Sequence, residues 1–206
     1  MPTTEPVFDQ QDVQISAEQT LYSGFMKLQR LTLKHRLFGG GWSALIEREL
    51  IVKEAAVGVL LFDPQRDELV LVRQFRVGMI DTQQSPWLLE LVAGMVDKGE
   101  SLAEVAKRES REEANCEPSQ LMPICEYYNS PGSSNEKIAL FCGKVDASGQ
   151  GGVFGLVDEH EDISVEVISY QHAIAELNLG KINNAMTVIA LQWLQLNKQK
   201  LVQQWL

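Results

Sequence analysis

The stretch GMVDKGESLAEVAKRESREEANC, residues 94–116, limits what this chain can become more than any other. Ser101 followed three residues later by Glu104 is a capping box, so a helix starts behind a loop containing Gly94 and Gly99 and runs to about Ala114. At about 100° per residue, Glu109, Glu112 and Glu113 fall on one arc, and Leu102, Val105 and Ala106 share it. An acidic run is usually a solvated face, but these acids continue the stripe that packs on the core. Carboxylates crowded there repel one another and lose hydration unless they take up protons or bind a cation. A hard divalent ion with oxygen ligands is the natural partner, and Mg²⁺ typically takes one or two carboxylates together with substrate phosphates. Arg108, four residues from both Glu104 and Glu112, is placed to hold the acids in position.

Strand signals surround this helix. AAVGVLLFDP and ELVLVRQFR read as a buried hairpin turning through Asp63 to Asp67, and WLLELVAGMV as one apolar strand leading into the glycine loop. CEYYNS, IALFCGKVD and ISVEVISY follow as strands, then QHAIAELNLG as a short helix ended by Gly180. A last helix from Asn184 to about Leu201 carries Met186, Ile189, Ala190, Trp193 and Leu194 at core-packing spacing. Up to about residue 20 the chain is polar and reads as mobile. Residues 21–38 and 43–54 read as strands around a turn at Gly39, Gly40 and Gly41. The expectation is an α+β fold: a mixed β-sheet sandwiched between helices, residues 56–206, preceded by an N-terminal antiparallel sheet element, residues 1–55.

The formal net charge of −10 opposes binding to a nucleic-acid backbone, and no basic run interleaved with aromatics offsets it. An acidic protein acting on an anionic substrate needs cations between the two. Cys116, Cys125 and Cys142 form neither a CxxC pair nor an even set, so reduced thiols are expected. There is no leader-like N-terminus and no long apolar run, so a cytoplasmic protein without membrane contact is expected.

At the helix the chain resembles the Nudix box. Gly94, Glu100, Arg108, Glu109, Glu112, Glu113 and Cys116 fit the family pattern, while Ser110 stands at an apolar site and Asn115 at the final glycine. Asn is the next choice after Gly for a left-handed helix cap, and neither departure touches the acids. Pro131, fifteen residues beyond Cys116, sits where the ADP-ribose pyrophosphatase branch carries a proline, and TLYSGF, PWLLELVAGM, GLVDEHEDI and NNAMTVIALQWLQL extend the likeness.

The resemblance implies a Nudix fold and hydrolysis of ADP-ribose to AMP and ribose 5-phosphate. It implies two or three Mg²⁺ ions per site, with Mn²⁺ as a possible substitute, held by the Ala93 carbonyl, Glu109, Glu112, Glu113 and Glu161. Glu159 takes the place of the general base, and Arg108 and Glu112 belong to the same machinery. Substrate contacts fall on Phe25, Met26, Arg48, Glu49, Arg76, Met95, Ser130, Pro131, Gly132 and Glu136, in a homodimer that exchanges its N-terminal strands. Read by themselves, the acids of the GLVDEHEDI loop are a solvated turn, the arginines are surface ion-pair partners, and Phe25 is equally a core aromatic. Two other functions stay open: a Nudix hydrolase for another nucleoside diphosphate sugar or dinucleotide, and a silent ligand-binding protein on the same scaffold.

Overall fold

The structure, a computed structural model, describes residues 7–206, the side chain of Glu159 excepted. The polar start expected at residues 1–6 lies outside the described residues. The chain forms two compact units.

The first unit contains β1 (Val13–Ser23), β2 (Lys27–His35) and β3 (Ile46–Val52), an antiparallel meander in the order β1-β2-β3. The sequence shows no element before about residue 20, yet a 3-10 turn at Gln10–Asp12, capped by Asp9, leads directly into β1. Almost every β1 side chain is exposed, so the strand carries no apolar alternation; its order comes from backbone pairing with β2. The segment Tyr128–Glu136 belongs to this unit as well. Ile51 N–H donates to the Ser133 carbonyl (2.8 Å) and Lys53 N–H to Asn135 Oδ1 (2.7 Å). A boundary at residue 55 misses this segment, because no local pattern joins Lys53 to a residue 82 positions away.

The second unit is built on β4 (Ala56–Asp63), β5 (Glu68–Phe75), β6 (Trp87–Glu90), β7 (Val92–Met95), β8 (Gln120–Tyr128), β9 (Lys137–Lys144), β10 (Gly152–Phe154) and β11 (Ile163–Ser169). Its helices are α1 (Leu102–Ala114), α2 (Tyr170–Asn178) and α3 (Ala185–Trp205). The sheet order is β10-β11-β5-β4-β9-β8, with β4 and β9 parallel and the other registered pairs antiparallel. Alternate residues of the central strands enter opposite cores. Leu60, Phe62, Leu69 and Leu71 pack with α2 and α3, whereas Val57, Val59, Leu61, Val70 and Val72 pack with Val105 and Ala106 of α1. Both faces are thus covered, which is why these strands read as continuous apolar runs.

The single strand expected over WLLELVAGMV is two. β6 pairs with β5 through Val72↔Glu90, and β7 pairs with β4 through Val59↔Val92, so the chain changes partners at Leu91. A backbone N–H at such a step has no ladder acceptor, and a buried one must find another. Leu91 N–H donates to Thr187 Oγ1 (3.0 Å), while Asn184, the cap of α3, donates to the Leu89 carbonyl (3.2 Å). The start of α3 therefore fixes the bend from which β7 runs toward α1.

The capping box is in place, with Glu104 N–H donating to Ser101 Oγ and Ser101 N–H to Glu104 Oε2. Asn115 caps the other end in the left-handed region (φ 48°). Ser110, at the family's apolar position, is fully buried and donates to the Ala106 carbonyl (2.6 Å), so its hydroxyl leaves no orphaned group in the core. Among the described residues no helix is long and apolar enough to cross a membrane.

Thr187→Val keeps the shape but strands the Leu91 N–H. It is expected to lower unfolding free energy by about 1–3 kcal/mol in urea titrations, and hydrogen exchange should locate the faster opening at residues 89–93. An unchanged midpoint would show that Thr187 does not hold the bend.

Candidate functional site

Glu113 lies on the buried side of α1, 2% exposed, and accepts a hydrogen bond from the Ala93 N–H (3.0 Å). Burial pushes its pKa up to about 8, and the charges of Glu109 and Glu161 add to the rise, against Ala93 N–H and Arg76. Glu109 is pushed up to about 7, again chiefly by burial, with Glu112 and Glu161 adding to it and Arg108 opposing. Both carboxylates are short of positive charge, which is what an oxygen-ligated cation relieves.

Arg108 orders the outer side of the group. Nε and Nη2 reach the two oxygens of Glu100 (3.0 Å each), Nη1 bridges Glu109 (2.7 Å) and Glu112 (3.0 Å), and Nη2 also donates to the Met95 carbonyl (3.1 Å). Its pKa is raised, most by the bonds to Glu100. The expected Glu104–Arg108 pair does not form, because Glu104 is used in the capping box. Glu100, at the end of the glycine loop, takes that role.

β7 comes so close to α1 that Gly94 has no room for a side chain. A Cβ there would stand 1.7 Å from Glu109 Oε1 and 1.9 Å from its Cδ. The glycine is required by space, not by its backbone angles, since its φ is not positive. A second glycine does a related task in the loop after β10. Gly155 (φ 106°) packs against Glu161, whose Oε2 accepts the Leu156 N–H (3.1 Å). The charge of Glu161 acts on both Glu109 and Glu113. Glu159 ends a 3-10 turn, Val157–Glu159, in the same loop; its side chain lies outside the described residues.

Arg76 follows β5 and donates from Nε to Glu90 Oε2 (2.7 Å). Its charge lowers the pKa of Glu113, so it acts electrostatically on the carboxylate group. Glu90 is 3% exposed; burial raises its pKa and Arg76 opposes the rise. Glu90 is not marked by any helical or strand period, and its one cue in the sequence is a lone acid inside the apolar run LLELV, which points to a buried charge with a partner.

Of the other expected substrate residues, Met95 is exposed at the end of β7 in the second unit, and the rest lie in the first unit. Phe25 (95% exposed) and Met26 occupy the turn between β1 and β2, and Arg48 and Glu49 are exposed on β3. Ser130, Pro131 and Gly132 form an exposed turn in the segment that joins β3. Glu136 accepts from Lys53 Nζ (2.5 Å) and Asn129 Nδ2 (2.8 Å), and these bonds hold its pKa below the usual range despite burial.

Among the described residues no three potential ligand groups converge into a finished ion cage. The donor set nevertheless fits a hard divalent cation: the buried carboxylate of Glu113, the half-buried one of Glu109, Glu112 beside them, Glu161 within electrostatic reach, and a glycine at Gly94 that leaves the Glu109 carboxylate room against β7. The NUDIX domain profile matches residues 52–187, which includes α1, β7 and the Gly155–Glu161 loop. The chain belongs to the Nudix family. Among Nudix relatives it is 47% identical over 201 residues to the ADP-ribose pyrophosphatase of Haemophilus influenzae, covering 96% of this chain and 93% of that one. It is 45% identical over 205 residues to the ADP-ribose pyrophosphatase of Escherichia coli K12, covering 99% and 98%. A crystal structure of an ADP compounds hydrolase shares the fold, with a TM-score of 0.71 at 22% identity over 92% of this chain and 96% of that one.

In this Nudix chain Gly94→Ala should leave stability nearly unchanged, since the atoms in the way are the far end of a flexible side chain. Glu109 must swing out, so Mn²⁺ affinity measured by electron paramagnetic resonance should fall about 10- to 100-fold. Wild-type affinity in this variant would remove Glu109 from the ion site.

Proposed function

We propose that this chain is a divalent-ion-dependent hydrolase that cleaves ADP-ribose to AMP and ribose 5-phosphate, acting as a cytoplasmic homodimer. The observation that carries the reading is the buried carboxylate group on α1, seated over Gly94 and short of positive charge. It occurs in a chain that follows two bacterial ADP-ribose pyrophosphatases along nearly its whole length.

In this reading Glu109, Glu112, Glu113, Glu161 and the Ala93 carbonyl would hold two or three Mg²⁺ ions, with Mn²⁺ able to substitute. Bound ions of this kind neutralise a diphosphate and acidify an attacking water. Arg108 keeps Glu109 and Glu112 apart and aimed, as a positioning residue. Glu159 takes a proton from the water whose oxygen joins phosphorus; the anhydride P–O bond breaks and its electron pair leaves with the departing phosphate. The short loop from Gly155 to Glu161 carries both the base and an acid that acts on the α1 carboxylates, so one loop movement would bring them in together.

For the substrate, Phe25 and Met26 meet the adenine, Arg48, Glu49, Arg76 and Met95 contact the diphosphate and its surroundings, and Ser130, Pro131, Gly132 and Glu136 serve the ribose side. Support for the dimer comes from the first unit, where none of the described residues up to Glu54 is fully buried and Val13, Ile15 and Tyr22 are exposed. A sheet of that kind is marginal unless a second surface covers it. The three cysteines are free thiols, in keeping with a reducing compartment.

AMP release from ADP-ribose, followed with and without added Mg²⁺, tests the reading. Strong Mg²⁺-dependent release is expected, and Glu113→Gln should reduce it at least about a hundredfold while melting like the wild type. No release, or a faster reaction with another nucleoside diphosphate sugar, would overturn the substrate assignment. For the shared site, mixing inactive Arg48→Ala and Glu113→Gln chains should restore part of the activity by forming one intact site per heterodimer. A monomeric mass with full activity would rule out the exchange.

A further inference from the structure

The Arg76–Glu90 pair, near the carboxylate group, joins a buried acid to a surface cation in a way that the proposed chemistry leaves unexplained. Glu90 is 3% exposed at the end of β6, just before the chain changes partners at Leu91. Arg76 is tied at two points: its N–H donates to the Pro86 carbonyl (2.8 Å), and its Nε to Glu90 Oε2 (2.7 Å). The side chain of Glu90 is 5% exposed and that of Arg76 39%, so the pair is asymmetric, with the acid inside and the cation at the surface.

The choice of donor matters. A guanidinium held, among the described side chains, only through Nε keeps both terminal NH₂ groups for something else, in the planar fork that suits two oxygens of a phosphate. Gln74, two residues earlier near the end of β5, is 7% exposed, and its Nε2 finds no acceptor among the described residues. Among the described residues, Gln74 Nε2 and the terminal groups of Arg76 thus have no protein acceptor at this end of β5, which is how an anion-facing wall differs from a finished salt bridge.

We propose that Glu90 is a positioning residue for anion binding: it anchors Arg76 through Nε so that the terminal fork is presented, already oriented, to the phosphates of a nucleoside diphosphate. This rests on the assignment of Arg76 to substrate contact made above. The rival account makes Arg76 merely the counter-ion that Glu90 needs for burial, an arrangement in which the pair serves stability alone.

Binding of ADP in the presence of Mg²⁺, measured by calorimetry on the full chain, separates the two without relying on hydrolysis. Glu90→Gln keeps the shape and an acceptor but loses the charge. It should weaken ADP binding about tenfold, part of the value of one charge-assisted hydrogen bond. With ADP-ribose it should raise KM by a similar factor and leave kcat within about twofold. Arg76→Ala should weaken binding further, and the double variant should bind no worse than Arg76→Ala, because Glu90 acts only through Arg76. Arg76→Lys, which keeps the charge beside Glu90 but not the fork, should also bind ADP weakly, and it decides the matter if Glu90→Gln does not fold. Wild-type ADP affinity in Glu90→Gln or in Arg76→Lys, or losses that add in the double variant, would overturn the proposal. Wild-type protein that binds ADP yet releases no AMP from ADP-ribose would overturn the proposed reaction and leave this test intact.

Discussion

The Arg108 guanidinium is the interaction on which the rest of the site depends. Five hydrogen bonds run from it to Glu100, Glu109, Glu112 and the Met95 carbonyl. Those acceptors come from three places in the chain: the glycine loop, the helix and the strand before them. One rigid planar cation therefore sets the spacing of two helix acids and fixes the helix against β7. Without it, Glu109 and Glu112 would face each other at the edge of a core with no compensating charge. Such a group would lower its energy by turning out to solvent, and the site would lose its geometry.

Geometry upstream makes that contact possible. β7 can approach α1 only because the strand leaves β5 at Leu91 and joins β4, and the step is held by the buried hydroxyl of Thr187 from the opposite side of the sheet. Gly94 then removes the last obstacle, letting a carboxylate lie where a Cβ would be. The packing of α3 on one face thus bears on the position of an acid on the other. The link is a single backbone N–H that must be satisfied.

Much of this was legible in the residues. The capping box gave the start of α1 and the helical period gave its buried stripe, because both are local rules that tertiary structure did not override. The hairpin at Asp63 to Asp67 was legible for the same reason. The break at Leu91 was not, since an apolar run looks alike whether it pairs with one neighbour or two. β1 escaped notice because its order comes from pairing and not from a buried face. In the site, Glu109, Glu112 and Glu113 could be read from spacing, whereas the partner of Arg108 could not. Two glutamates, Glu100 and Glu104, competed for it, and the helix cap claimed one of them. The Arg76–Glu90 pair joins residues brought together by strand pairing, a distance that no helical or strand period encodes.

The balance of charge explains why cations have to come from outside the chain. The protein carries a formal net charge of −10, and its proposed substrate is an anion. Arg108 is engaged with acceptors at Nε, Nη1 and Nη2 and has little left to offer a phosphate. Arg76 keeps its terminal groups unpaired among the described residues, but one guanidinium against Glu109, Glu112, Glu113 and Glu161 leaves the region negative. A diphosphate entering such a place would meet repulsion that intensifies as water is excluded. Divalent ions, if held by those same carboxylates as proposed, would reverse the sign of the field at the point where the anhydride would lie. The acids that would otherwise repel the substrate thereby become the means of attracting it.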